Sequence, residues 1–497
     1  MGSRAVHFFS RRFSTRWLVT GVLVILVCVV AVGLTGRRTS SSDRLRKYRE
    51  ALRAQGEKLT YAELMGTNRP SSGASFTNFR VAVASLHGKL GPSAFGYRIE
   101  VRPGFARSLC GEAGASLDTN SQWIEFNAEM VTNQVQFDAL RELLQDPPED
   151  SGAVLTNLTT SKLLTANYIA LRIGAQWLAA ATVADMRAGR AEEATQNLEA
   201  LCALARMNRA ELVLVSQMIR QAIASLGMAV TWELLQARRL DEQQLKQLAQ
   251  AWDQLDLLAT VESGLAGERA VQSDSWQAMR FPARLAGPVP SIVAGLFEDY
   301  VWAPAYRLSA MNDDLLFQIQ GMQQMLDSIR IVRRRLPYAG AQAIQSQLGR
   351  KLRLKSGPVS KYLYSFSLIS LPNYQRIVPN AVHAETERQM TLAAIGLERY
   401  RIRHQDLPES LSELVPEFLR EEPWDYLAAA PLRYRRLPEG EFFLYSIGED
   451  GKDDGGDPTP AKSTAVSIWD ARDAVWPRVW RETRALGTNS EPGLEKR

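Results

Sequence analysis

The sequence predicts a mainly α-helical protein with an N-terminal transmembrane helix, an array of helical hairpins, and a small C-terminal α+β unit carrying a short antiparallel sheet. Three observations carry that expectation. Residues 17–35 are nineteen consecutive uncharged residues, mostly Val and Leu. From 121 to about 279, and again over 291–336 and 380–403, the chain reads as helical between capping residues, Gly and Pro. Two β-rich runs, 432–437 and 442–447, flank Pro438-Glu439-Gly440.

The apolar run comes first. At about 1.5 Å per residue it spans roughly 28 Å as a helix, close to the hydrocarbon thickness of a bilayer. Arg4, Arg11, Arg12 and Arg16 precede it, Arg37 and Arg38 follow it, and Trp17 stands at its edge. It reads as a retained signal-anchor with a short cytoplasmic N-terminus and the bulk outside the cytoplasm, on the periplasmic side of an inner membrane. Ala31-Val32-Gly33 keeps a cleaved signal peptide open as the alternative.

A chain of 497 residues exceeds one core. With 23% charged and 45% apolar residues, the part beyond the anchor has the composition of a folded protein. The net charge of +5 comes largely from the anchor flanks and one internal basic run, which argues against nucleic acid as a partner. Three cysteines exclude a disulfide framework and a cysteine-only zinc site; Cys110 and Cys202 allow one bridge.

Residues 1–38 are the cytoplasmic stub and anchor. Residues 39–120 are membrane-proximal helices and a Gly/Ser/Pro-rich region. Leu45, Tyr48 and Leu52 place a helix at 43–55, Thr60 and Glu63 form a capping box for a short one, 76–86 reads as another, and 97–101 as a short strand. Residues 121–285 are the helical-hairpin domain, with helices expected at 122–144, 162–187, 191–207, 211–235 and one capped by Asp241 and Gln244. Gly189 marks a turn. The junction from Ala184 through Gly189 to Leu201 resembles that of tetratricopeptide-type helix pairs, and a plain αα-hairpin accounts for it equally. The stretch 281–290 breaks the helices. Residues 286–379 form a second helical region, with a bend at Pro304 and a buried apolar segment at 362–371. Residues 380–470 hold a long helix, a short helix begun by Asp406-Leu407-Pro408, the hairpin, a glycine-rich acidic loop at 448–457 and a last strand at 463–469. Residues 471–497 are a polar tail.

The order Leu397-Glu398-Arg399-Tyr400-Arg401, Leu407-Pro408-Glu409-Ser410-Leu411, Pro423-Trp424-Asp425, Leu432-Arg433-Tyr434 and Leu444-Tyr445-Ser446-Ile447-Gly448-Glu449-Asp450-Gly451, with Trp469 in the tail, resembles the C-terminal half of the major pseudopilin of type II secretion systems. The resemblance implies a pseudopilin-like unit linked to secretion or envelope assembly. It also implies an acidic loop that holds calcium, with Asp450, Asp453, Asp454 and Asp457 as oxygen donors. The loop departs from the EF-hand pattern at Lys452 and Ala461.

The charge run from Arg330 to Lys361 contains no acid. Arg333, Arg334, Arg335, Arg350, Lys351 and Arg353 form its body, as candidates for contact with anionic lipid headgroups or an acidic partner, or as a solvated helix face. His383 stands four residues before Glu387, as a surface ion pair would. Leu117-Asp118-Thr119 lacks the glycine and second copy of an aspartic-protease pair, and no phosphate-binding glycine loop occurs. The expectation is a membrane-anchored, non-enzymatic interaction or scaffold protein with protein partners in the envelope. The alternative is an envelope hydrolase whose site assembles from distant residues.

Overall fold

A computed structural model describes residues 20, 22, 36–66, 73–88, 99–102, 104–110, 120–149, 160–276, 303–358, 360–460 and 467–479. The body of the apolar run, the break at 281–290 and the tail from 481 lie outside them. Among the described residues no helix is long and apolar enough to cross a membrane. Helices dominate, with three short sheets. Packing divides the chain into two units, each assembled from separated segments rather than from consecutive blocks.

The first unit draws its described residues from Met1–Arg69, Leu265–Ser328 and Ala341–Val378. Residues 36–54 form helix α1. Its Leu45 and Leu52, with Leu59 beyond it, bury against Trp276, Leu315 and Ile319, and half-buried Tyr48 joins them. The expected stripe is thus real, and its partner lies more than two hundred residues away in sequence. Thr60 and Glu63 cap α2 (Tyr61–Met65) reciprocally. Arg269, almost wholly buried, donates to Glu57 at 2.9 Å and to the Lys58 carbonyl at 2.8 Å, which ties this corner to the unit.

The remaining helices and the first two strands follow in chain order. They are α3 (Gly73–Ser85), β1 (Ile99–Arg102), β2 (Phe105–Arg107), α4 (Asn120–Thr132), α5 (Gln134–Leu143), α6 (Thr160–Arg187), α7 (Ala191–Arg206), α8 (Leu214–Ala237), α9 (Glu242–Asp253) and α10 (Leu257–Ser275). Then come α11 (Ala303–Ser309), α12 (Met311–Arg333), α13 (Tyr338–Lys355), α14 (Ser360–Leu363), α15 (Ser365–Tyr374) and α16 (Ile377–His404). Pro304 sits in the first turn of α11, where a missing N–H costs nothing, and the described break falls at Ala310 instead. The 362–371 stretch is not one buried segment. It is split between α14 and α15, and while Ser365, Ser367 and Leu371 are buried, Tyr362 and Ile369 face solvent.

The second unit takes its described residues from Pro70–Gly264, Ile329–Gly340 and Pro379–Arg497. Its centre is α7, which packs on α6 and α8 on one side and on α5 and α9 on the other. Alanines at 179, 180, 181, 184, 194, 200, 203 and 205 are all buried and let these helices approach closely. Gly227 on α8 serves the same end: a Cβ there would stand 3.0 Å from the Trp252 ring. Trp252 also donates to Thr231 Oγ1 at 3.1 Å. Asp241 and Gln244 cap α9 as expected, and Gly189 turns with φ +82°.

Four expectations are corrected here. The helix read at 122–144 is two, because buried Asn133 turns aside to donate to the His87 carbonyl (2.7 Å) and accept from the His87 N–H (3.0 Å). The helix read from 211 starts at Leu214. The short helix near 408 is a 3-10 turn, Leu411–Leu414, capped by Ser410 and Glu413 rather than by Asp406. Among the described residues the last strand of the hairpin sheet is β7 (Ala474–Val475); of the strand expected at 463–469, residues 463–466 lie outside the described residues and 468–470 form a 3-10 turn.

The hairpin itself stands as read. β5 (Arg433–Leu437) and β6 (Glu441–Ser446) pair antiparallel with Tyr434 opposite Leu444, and Pro438–Gly440 joins them. β3 (Trp424–Asp425) and β4 (Ala430–Pro431) form a separate pair. β8 (Arg478–Val479) runs parallel to β2, so a strand beyond residue 470 completes a sheet begun near residue 100. Trp232 donates to the Pro477 carbonyl at 2.8 Å, and buried Trp476 and half-buried Val479 pack this C-terminal segment against the core of the helical unit.

Candidate functional site

A groove of about 520 Å³ runs between α5, α7 and α9 in the second unit. The sequence reading did not single it out, because each helix contributes only a few polar residues to an otherwise ordinary amphipathic pattern. Five glutamines face it: Gln145, Gln196, Gln247, Gln250 and Gln254, with Glu199 and Arg206 on α7. A clue was present in the alternation of Gln with apolar residues along 243–254.

The α5 and α7 walls are pinned. Arg141 pairs with Asp138 and donates to Asn197 Oδ1 at 2.8 Å. Asn197 donates in turn to Asp185 Oδ2 at 2.8 Å, and Arg190 donates to Asp185 Oδ1 at 2.9 Å. Burial raises the Asp185 carboxyl, opposed by Arg190. This network fixes the α6–α7 turn, so the groove has a rigid floor. Burial also raises the Glu199 carboxyl, helped by Glu192, and lowers the Arg206 guanidinium. Arg206 Nε is buried and without a hydrogen-bond partner among the described residues.

Chemically, the groove offers primary amides, each with two donors and one acceptor oxygen, among charged side chains that include Arg141, Glu199 and Arg206. That set matches the alternating N–H and C=O of an extended peptide. It holds no nucleophile beside a base.

The predicted site residues fall in other places. Arg333 and Arg330 both pair with Glu262, Arg330 at 2.7 Å, and Arg335 pairs with Glu421 at 2.6 Å while lying 5.1 Å from the Trp424 ring centre. The hydrogen bonds from both arginines hold the Glu262 carboxyl below its usual range despite burial. Acids distant in sequence therefore neutralise this half of the basic run, and Arg334 is exposed. Arg350, Lys351 and Arg353 lie on α13 in the first unit, where they make no ion pair among the described residues.

In the acidic loop, Asp453 accepts from Arg433 Nε (3.0 Å) and from Tyr445 Oη (3.0 Å), and Asp457 pairs with Arg472 at 3.4 Å. Asp450 accepts from the Lys452 N–H. The Arg433 bond lowers the Asp453 carboxyl, and bonds from Thr459 lower that of Asp457. Asp473, which the sequence reading missed, is the loop's buried anchor: its Oδ2 accepts from the N–H groups of Gly456 (2.7 Å) and Asp457 (3.0 Å). Among the described residues no group of three or more His, Cys, Asp or Glu is arranged to hold a metal ion.

His383 is not paired with Glu387. It lies 2.9 Å from Glu449 Oε1 and stacks flat on Trp469 at 4.4 Å. Cys110 and Cys202 are both free thiols. Burial raises both, and the Glu233 carboxylate, whose Oε2 accepts from Ser108 Oγ (3.0 Å) and the Leu109 N–H (2.8 Å), adds to the effect at Cys110. Burial thus disfavours the thiolate form of both. Comparison with protein-family models, curated proteins and solved structures finds no match.

Proposed function

We propose that this chain is a membrane-anchored, non-enzymatic interaction protein that holds an extended polypeptide segment in the groove between α5, α7 and α9. The groove's amide lining carries the reading. Gln145, Gln247, Gln250 and Gln254 bring donors and acceptors to one surface, and Arg206 Nε stands ready for a carbonyl oxygen. The apolar run 17–35 would keep the chain in lipid, with the body outside the cytoplasm. The order of long helix, capped turn, hairpin and glycine loop from 377 to 457 supports likening the C-terminal region to a pseudopilin tail, and hence partners in an envelope machine.

The test is chemical. Full-length protein in detergent is used to select binders from a random peptide library. The best binder is then remade with alternate backbone nitrogens methylated. Recognition of peptide amides predicts about a tenfold or greater loss of affinity for the methylated peptide, and a similar loss with Gln250→Ala/Gln254→Ala, since each lost hydrogen bond counts about 1 kcal/mol. Equal affinity for both peptides would refute it.

A further inference from the structure

The first unit carries a basic corner with an apolar tip, and a short series of contacts links that corner to the start of α1. On α13, Leu348 and Leu352 are buried, which leaves the opposite face of the last two turns to Arg350, Arg353 and Leu354. Leu354 is 79% exposed, more than any other large apolar residue recorded as exposed among the described ones. Arg350 stands one helical turn before it, and Lys351 three residues before it, so both flank it on the same end. Lys355 donates to Tyr364 Oη at 2.9 Å, which folds the following turn back onto α13 and brings α14 alongside. There Tyr362 is 41% exposed, with the Lys361 ammonium 5.0 Å from its ring centre.

The same corner is joined to the start of α1 by a short series of contacts. Arg37 and Arg44, just beyond the apolar run, reach Asp313 at 3.8 and 2.8 Å. The next residue, Asp314, accepts from the backbone N–H groups of Phe366 and Ser367, each at 3.1 Å. Phe366 follows Tyr362 by four residues, across the break between α14 and α15. The start of α1 and the basic corner are thus linked through Asp313, Asp314 and Phe366.

We infer that this corner docks on anionic phospholipid headgroups, with Leu354 and Tyr362 entering the interface and Arg350, Lys351, Arg353 and Lys361 meeting phosphates. The inference rests on the anchor proposed above. Charge complementarity selects the occupant: these four cations make no ion pair among the described residues, and the chain carries no acid from residue 328 to residue 384. An exposed leucine among them suits a surface with an apolar interior better than it suits water. Such docking would hold the unit against the bilayer by a second contact besides the tether.

Full-length protein is reconstituted in nanodiscs of phosphatidylcholine alone or with about a third phosphatidylglycerol, and amide hydrogen exchange is followed across 346–364. Docking predicts exchange at least about tenfold slower in the anionic discs. The protection should vanish in 0.5 M salt and in Arg350→Glu/Lys351→Glu/Arg353→Glu, while Leu354→Ser should weaken it. Equal exchange in both lipids, with the chain still resistant to carbonate extraction, overturns the docking and leaves the anchor standing. Release of the chain by carbonate overturns the anchor and the docking together. Protection by added nucleic acid, with none from anionic lipid, also overturns it.

Discussion

Asp314 offers the sharpest test of the buried polar chemistry. It is fully buried, with no cation in contact, and its carboxyl is pushed up to about 6 from an ordinary 3.8, chiefly by desolvation. Donors oppose the shift: Tyr306 Oη at 2.7 Å and the N–H groups that open α15. Because the folded state holds this proton more tightly than the unfolded chain, the folded state binds more protons between pH 4 and 6. Stability must therefore fall as pH rises through that window. A shift of about two units at 1.36 kcal/mol each puts the cost at about 3 kcal/mol above pH 6. Asp314→Asn removes the charge, but its amide N–H₂ meets the donor that one carboxylate oxygen received, at a cost of about 1–3 kcal/mol. Urea unfolding of wild type and variant should then show the variant weaker at pH 4.5, and the two close to equal at pH 7. Subtracting one curve from the other cancels every other titrating group. A difference that stays constant from pH 4 to 8 would refute the account.

Three other outcomes follow from particular contacts. Gly227→Ala drives a methyl into the Trp252 ring 3.0 Å away, and should destabilise the second unit by about 1–3 kcal/mol in the same urea assay. Cys110 and Cys202, raised by burial, should resist iodoacetamide at pH 8 in the native protein and react on unfolding; Glu233→Ala should orphan the Ser108 and Leu109 donors, lower the unfolding midpoint and expose Cys110 to the reagent. A calcium site filled at a hundred times its dissociation constant would add about 2.7 kcal/mol, so chelator and millimolar calcium should give the same melting temperature if the loop is held by Arg433 and Arg472 instead.

What was legible in the sequence was local. The capping boxes at Thr60 and Asp241, the turn at Gly189 and the hairpin around Pro438–Gly440 each depend on residues within four positions of one another, and each stands where the pattern put it. Two of the misreadings trace to a partner far away along the chain. Asn133 breaks a helix because His87 is beside it, and β7, some thirty residues along the chain from β6, pairs with it in the hairpin sheet. The groove was invisible for the same reason, since its three walls are helices separated by dozens of residues.

The basic run shows how far this matters for function. In sequence, Arg330 to Lys361 is one uninterrupted block of positive charge, and every member invites the same role. In space the block divides. Glu262 and Glu421 neutralise Arg330, Arg333 and Arg335, and a guanidinium so held gains little by meeting a lipid phosphate, because it must first give up a partner already made. Arg350, Lys351 and Arg353 face no such exchange. An anionic surface should therefore discriminate between the halves: Arg333→Gln/Arg335→Gln should leave exchange at 346–364 in anionic nanodiscs unchanged while lowering the unfolding midpoint. Loss of lipid protection in that variant, at full stability, would show that charge along the chain, rather than charge left unpaired by the fold, governs the contact.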